Sequence, residues 1–173
     1  MYLGEILRNI LLSLVDAAPK PLLFNGRSSG PLNTHYGLDT AVMSEVEDAW
    51  ETGRVPVADA ETVKSKANGI SAEEHKPDWQ SAHFTDVDAL SPDDKARLAR
   101  IQGILVQRLA LDPADVSLRD AAIVRWAASL VANRAARLSG CAVAAVLVQT
   151  ERAKLGGGFA TDEEKICVGV DGR

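Results

Sequence analysis

The sequence predicts an α/β fold that is mostly helical, with one C-terminal core strand. Apolar residues recur at helical spacing in three long stretches, 2–17, 91–109 and 117–153. The run Ile166 to Val170 is instead continuously apolar and rich in β-branched residues, which is typical of a strand covered on both faces. The sequence shows no second convincing strand, and a strand needs partners for its backbone groups. We therefore expect a piece of a larger α/β fold.

Composition is that of an ordinary globular domain, with 46% hydrophobic residues, 25% charged residues and a net charge of −5. An acidic balance without a basic block offers no electrostatic surface for nucleic acid. The stretch Ala121 to Thr150 contains Arg125, Arg134 and Arg137, which a bilayer tolerates poorly, so no membrane span is predicted. The N-terminal apolar run lacks the charge and cleavage pattern of a targeting signal, and a cytoplasmic protein is expected.

Three elements are predicted in the first 50 residues. A helix covers Tyr2 to Ala17, and two prolines end it. Leu22 to Gly26 forms a short apolar anchor closed by an Asn-Gly turn. Helical spacing resumes in the second half of Leu38 to Trp50, where the apolar residues share a face opposite Glu45 and Asp48.

The second half of the chain begins after a polar segment. Residues 51–90 lose apolar spacing, and a polar surface insertion that is partly disordered is predicted there. Ser91-Pro-Asp-Asp94 then starts a helix with a capping serine, a proline and two acids. Ser117-Leu-Arg-Asp120 starts another, as a capping-box variant. Its second half, to about Ala153, is rich in small residues, so we expect this helix in the core.

Other chemistry-bearing residues favour plain structural roles. Cys141 and Cys167 lack metal-ligand spacing and are expected to be buried free thiols. The three histidines share no ligand spacing with acids or cysteines, so surface positions and no metal site are predicted. Gly156 to Gly158 follows a helix and precedes a strand, the reverse of a phosphate-binding loop, and favours a flexible connector.

Five segments match, in order, the patterns of one protein family. Met1-Tyr-Leu-Gly-Glu-Ile-Leu-Arg8 matches a G-M-Y-L-G-E pattern followed by two hydrophobic residues and arginine. Leu38-Asp-Thr-Ala-Val-Met-Ser-Glu-Val-Glu47 matches a pattern with threonine and serine four residues apart. The other segments are Leu22–Gly26, Asn133–Val146 and Val168–Gly172. Together they resemble the hexokinase family, and the sequences of residues 117–120 and 146–156 look most like those of a fungal glucokinase.

The resemblance implies an actin-like (ribonuclease H-like) ATPase fold. Residues 1–173 would form part of the large C-terminal domain, with the polar insertion at 51–90. It implies phosphoryl transfer from ATP to the 6-hydroxyl of glucose or another hexose in glycolysis. ATP or ADP with Mg²⁺ would be the cofactors, the metal being held mainly through the nucleotide.

The family's catalytic aspartate, sugar-binding residues and phosphate loops precede the position that Met1 matches. No catalytic residue is therefore expected within 1–173. The isolated chain is expected to be inactive, marginally stable and dependent on the missing parts of its own fold as partners. Two other interpretations stay open: a non-catalytic hexokinase-like regulatory or binding protein, which would dock through exposed apolar faces, and a decayed fragment.

Of the functions that the resemblance implies, nucleotide contact is the one whose residues match positions in this chain. The matching positions are Met1, Thr40, Ala41, Val42, Met43 and Ser44. A threonine and a serine four apart at a helix start present two hydroxyls and free backbone N–H groups on one side, which suits ribose or phosphate oxygens. The alternative is structural, with Thr40 as a helix N-cap and Ser44 as a small helical residue.

Overall fold

The computed structural model describes residues 2–51, 87–156 and 167–169, and within them it is helical. Most of the predicted insertion at 51–90 lies outside these residues. The α-helices are α1 (Tyr2–Val15), α2 (Gly30–Asn33), α3 (Ala41–Glu51), α4 (Pro92–Leu109) and α5 (Leu118–Gln149), and the 3₁₀ turns are Phe24–Gly26, Val87–Ala89 and Pro113–Asp115.

The long helices begin where their capping residues predict. Ser91 Oγ accepts the N–H of Asp94 at 3.1 Å and caps α4. Ser117 Oγ accepts the N–H of Asp120 at 3.1 Å, while Asp120 Oδ2 accepts the N–H of Ser117 at 2.7 Å. This reciprocal pair is the capping box expected at the start of α5, with aspartate in the role of glutamate.

The chain divides into two compact units, Met1–Asn133 and Arg134–Arg173. The first unit holds the hydrophobic core, and α3 and α4 pack against each other within it. Leu23 and Phe24 lie in this core, and Asn25 turns the chain with a positive φ of 50°, which confirms the predicted anchor and turn. The largest fully buried side chains are Phe24, Leu7, Leu11, Leu23, Leu32, Leu98, Ile101, Leu105, Leu109, Val46, Val116 and Val124.

The second unit corrects two predictions of burial. None of the described residues 134–156 is buried, although the small residues of α5 predicted a core position. Cys141 and Cys167 are both free, as predicted, but both are exposed. Small residues permit close packing without supplying a neighbour, and among the described residues of this unit no element covers that half of α5.

The predicted core strand is not formed where the structure describes it. Cys167, Val168 and Gly169 have no regular secondary structure and are exposed, while Ile166 and Val170 lie outside the described residues. A buried strand depends on a sheet to satisfy its backbone groups, and the described residues contain no strand to pair with it.

Among the described residues, α5 is the one helix long and apolar enough to cross a membrane by length and composition. One such helix is weak evidence, because the core helix of a water-soluble protein meets the same criterion. The absence of a membrane span therefore stays a prediction from the arginines of this helix.

Candidate functional site

The start of α3 carries most of the residues predicted to contact a nucleotide. Asp39 Oδ1 accepts the N–H of Ala41 at 3.0 Å, so aspartate supplies a side-chain cap here. The N–H of Val42 bonds to the carbonyl of Asp39 at 3.2 Å, and that of Met43 to the carbonyl of Thr40 at 3.0 Å. The N–H groups expected to be free at this helix start thus have acceptors within the turn.

The side chains of the predicted set divide between the core and the surface. Val42 and Met43 are buried, with 2% and 7% of their surface exposed. Ala41 and Ser44 are exposed and Thr40 is half-buried. Met1 lies outside the described residues. Side-chain contact with a ligand is therefore open to Thr40, Ala41 and Ser44, whereas the side chains of Val42 and Met43 pack in the core.

Thr40 also joins α3 to α1. Its Oγ1 accepts the N–H of Gly4 at 3.2 Å. A Cβ on Gly4 would collide with the carbonyl oxygen of Leu38 and come within 3.0 Å of the Thr40 nitrogen. Glycine at position 4 thus allows the first turn of α1 to touch the backbone that leads into α3.

An ion pair within α1 lies beside this contact. Glu5 Oε2 accepts from Arg8 Nε at 2.8 Å, and Glu5 Oε1 accepts from Arg8 Nη2 at 2.6 Å. The same Oε2 accepts the N–H of Tyr36 at 2.8 Å, and Arg8 Nη1 donates to the carbonyl of Leu32 at 2.6 Å. Arg8 is buried, with 4% of its surface exposed. The pair therefore ties α1 to the segment 32–36.

These bonds shift both ionisation equilibria toward the charged forms. Hydrogen bonds from Arg8 lower the pKa of Glu5 from its ordinary 4.5 to about 2, against the opposing effect of desolvation, with further help from Tyr36 and His35. Glu5 in turn raises the pKa of Arg8. This pair was not predicted from the sequence, although a glutamate and an arginine three residues apart in a helix are a recognisable signal for an ion pair.

The other end of α3 is held by arginines. Arg97 and Arg125 both lie over the ring of Trp50, with guanidinium carbons 5.6 Å and 4.0 Å from the ring centroid. Arg97 Nη1 donates to the carbonyl of Trp50 at 2.9 Å, and Arg100 Nε donates to that of Ala49 at 3.3 Å. Cations at a helix C-terminus satisfy its last carbonyls and oppose its dipole, so this cluster has a structural role.

No group of three or more histidine, cysteine, aspartate or glutamate residues in the described part of the chain could hold a metal ion. The side chains of Thr40 and Ser44 offer hydroxyls, which suit nucleotide oxygens better than a metal. That ATP or ADP brings Mg²⁺ to this part of the chain stays a prediction.

Comparison with known proteins identifies the family to which the chain belongs. The family model described as Hexokinase matches residues 1–80 and 76–173, which together span the chain. The chain belongs to the hexokinase family. The resemblance inferred from its motifs is confirmed at this level.

The curated relatives are distant and much longer. The chain is 30% identical to hexokinase-2 of Homo sapiens, 29% identical to hexokinase-2 of Equus caballus and 28% identical to hexokinase-1 of Rattus norvegicus. Each alignment covers 172 residues, 99% of this chain and 12% of the relative. No solved structure matches. The closer likeness to a fungal glucokinase stays a prediction.

Proposed function

We propose that this chain is part of the nucleotide-binding lobe of an ATP-dependent hexose kinase. The enzyme would have an actin-like fold, lie in the cytoplasm and transfer the γ-phosphoryl group of ATP to the 6-hydroxyl of glucose or another hexose. The family match along the whole chain carries this proposal. Because the chain spans 12% of the length of its relatives, the reaction is assigned to a complete enzyme.

Within that enzyme the chain contributes nucleotide contact. Phosphoryl transfer also needs a base for the sugar hydroxyl and a metal that spreads charge over the phosphates. The turn from Thr40 to Ser44 offers an exposed hydroxyl on Ser44 and the open surface of Ala41. We assign the Ser44 hydroxyl to a polar atom of the nucleotide and Ala41 to apolar contact. ATP would bring Mg²⁺ with it.

Two assays on the purified 173-residue chain test this assignment. With MgATP and glucose we expect no ADP release above the buffer background, since the resemblance places no catalytic base in the chain. Titration with MgATP should shift the amide NMR signals of residues 40–44, with a weak Kd. Glucose-dependent turnover would contradict the proposal that the chain contacts the nucleotide but contains no catalytic base.

A matched pair of serine variants locates the contact. Ser44→Ala should weaken MgATP binding severalfold, because a neutral hydrogen bond contributes about 0.5–1.5 kcal/mol. Ser13→Ala removes an exposed hydroxyl that bonds the carbonyl of Asn9 in α1, and it should leave the Kd unchanged. Equal effects from both variants would remove Ser44 from the nucleotide site.

A non-catalytic binding protein is the alternative. The observation that favours it is the exposure of Leu138, Val146 and Leu155, at 59%, 62% and 91%. This alternative predicts no MgATP-dependent NMR shift at residues 40–44. A shift there, lost in Ser44→Ala, would exclude it.

A further inference from the structure

Two neighbouring residues of α1 hold both ends of the segment that leads into α3. Glu5 accepts the N–H of Tyr36 at 2.8 Å, and Gly4 donates its N–H to Thr40 at 3.2 Å. The two bonded residues of the segment, Tyr36 and Thr40, are therefore four positions apart in sequence, whereas their partners in the helix, Gly4 and Glu5, are adjacent. Any shift of Glu5 relative to the segment must be absorbed between Tyr36 and Thr40.

That stretch has little freedom to absorb a shift. A Cβ on Gly37 would approach the carbonyl oxygen of Thr34 to 2.9 Å, so the chain is closely packed there. Leu38 is buried, with 2% of its surface exposed. Tyr36 has a φ of 58°, a left-handed conformation that a bulky side chain rarely adopts unless its surroundings hold it. Its hydrogen bond to Glu5 supplies such a hold.

The Glu5–Arg8 pair differs from the other ion pairs in the described residues. Arg108 pairs with Glu45 between α4 and α3, and Arg125 pairs with Glu47 between α5 and α3. Arg97 and Asp93 pair within α4. Unlike these three pairs, Glu5 and Arg8 also bond the backbone of the segment before α3, and His35 of that segment lies 3.4 Å from Glu5 Oε1.

We propose that Glu5 is a positioning residue for the nucleotide-contacting turn Thr40–Ser44, acting through the Tyr36 amide and through Arg8. This inference rests on the nucleotide contact proposed above and names what holds that contact in place. Arg8 contributes to the same positioning. Its Nη1 donates to the Leu32 carbonyl, while its Nε and Nη2 donate to the Glu5 carboxylate and orient it. A positioned turn binds more tightly because its ordering is completed before the ligand arrives.

The test uses the 173-residue chain and MgATP. Glu5→Gln keeps the shape but leaves a donor where Arg8 or Tyr36 needs an acceptor. We expect the Tyr36 amide to exchange with solvent faster, the amides of α4 to stay protected, and the Kd for MgATP to rise about tenfold. Arg8→Lys keeps the charge and loses the paired geometry, so it should shift the same signals less.

A stability-matched control separates positioning from general weakening. Ile101→Val lowers stability in the core of α4 without touching the segment, and at a temperature where circular dichroism shows every variant folded its Kd should change less than twofold. An unchanged Kd in both Glu5→Gln and Arg8→Lys would overturn the proposal, as would an equal rise in Ile101→Val. If Glu5→Gln does not fold, Arg8→Lys carries the comparison.

The same titration distinguishes this failure from failure of the proposed function. If MgATP does not shift the amide signals of residues 40–44 in the wild-type chain, both the nucleotide contact and the positioning role are overturned. A wild-type chain that responds to MgATP, with variants that respond equally well, would overturn the positioning role alone.

Discussion

At the residue scale, Gly4 and Glu5 show how the first turn of α1 determines the path of a distant segment. Glycine removes the one side-chain atom that would collide with the Leu38 carbonyl, and glutamate supplies an acceptor for a backbone N–H 31 residues further on. Both residues belong to the motif that indicated the family, but their contacts could not be predicted, because sequence spacing says nothing about which loop returns to a helix face.

A glycine pair tests the close approach. Gly4→Ala should lower the free energy of unfolding by about 1–3 kcal/mol, the usual cost of overpacking against backbone atoms that cannot move aside. Gly103→Ala in α4 meets nothing within 4 Å and should raise it by about 0.5–1 kcal/mol through helix propensity. Urea denaturation of both variants measures the difference, and a stabilised Gly4→Ala would refute the contact.

The lowered pKa of Glu5 predicts a pH dependence. The pKa of Glu5 is about 2 in the folded protein, against an ordinary pKa of 4.5. The contribution of Glu5 to stability is therefore fully present above about pH 4.5 and is lost as the pH falls toward 2. The difference in urea midpoint between the wild type and Glu5→Gln should therefore be largest near neutral pH and shrink below pH 4.5. A difference that stays constant from pH 7 to pH 3 would contradict the low pKa.

At the element scale, local signals predicted helices better than their surroundings. The starts of α4 and α5 were predictable because Ser91 and Ser117 cap with residues three positions away. The predicted burial of the second half of α5 was wrong, and the strand predicted at 166–170 is not formed at the described residues 167–169. Both features depend on elements that are distant in sequence. The contact of Thr40 with Gly4 belongs to the same class of unpredictable features.

Trp50 offers a test of how α4 holds α3. Arg97→Met keeps the apolar stem but loses the bond to the Trp50 carbonyl and the charge near the ring, so it should cost about 0.5–1.5 kcal/mol of unfolding free energy. Asp93→Asn removes the exposed ion pair with Arg97 and should cost less than about 0.5 kcal/mol. Chemical denaturation that ranks them in the opposite order would argue against the cluster as a helix cap.

At the scale of the whole molecule, the buried hydrophobic residues of the described part run from Leu7 to Val131 and so fall within the unit Met1–Asn133. The unit Arg134–Arg173 instead exposes Leu138, Val146 and Leu155. Composition predicted a globular chain, but which part would hold the core could not be read from it, because apolar residues are frequent on both sides of Asn133.

This division predicts the behaviour of a shortened chain. A chain ending at Asn133 should keep its free energy of unfolding within about 0.5 kcal/mol of that of the longer chain, since surface changes have effects of that size. It should also aggregate less, because large exposed apolar residues are removed. Light scattering and denaturation measure both, and loss of a cooperative transition would show that 134–173 stabilises the first unit.

The contact between Tyr2 and Tyr36 has a practical consequence. Their ring centroids lie 6.2 Å apart in an edge-to-face arrangement, and the chain contains two tyrosines in all. Ring-labelled tyrosine would therefore give two sets of ring resonances, which both arise where α1 meets the segment before α3. The ring current of one displaces the signals of the other, so an opening of a few ångströms becomes visible without assigning any other residue. The two tyrosines thus serve as an intrinsic NMR probe of the contact between α1 and the segment before α3.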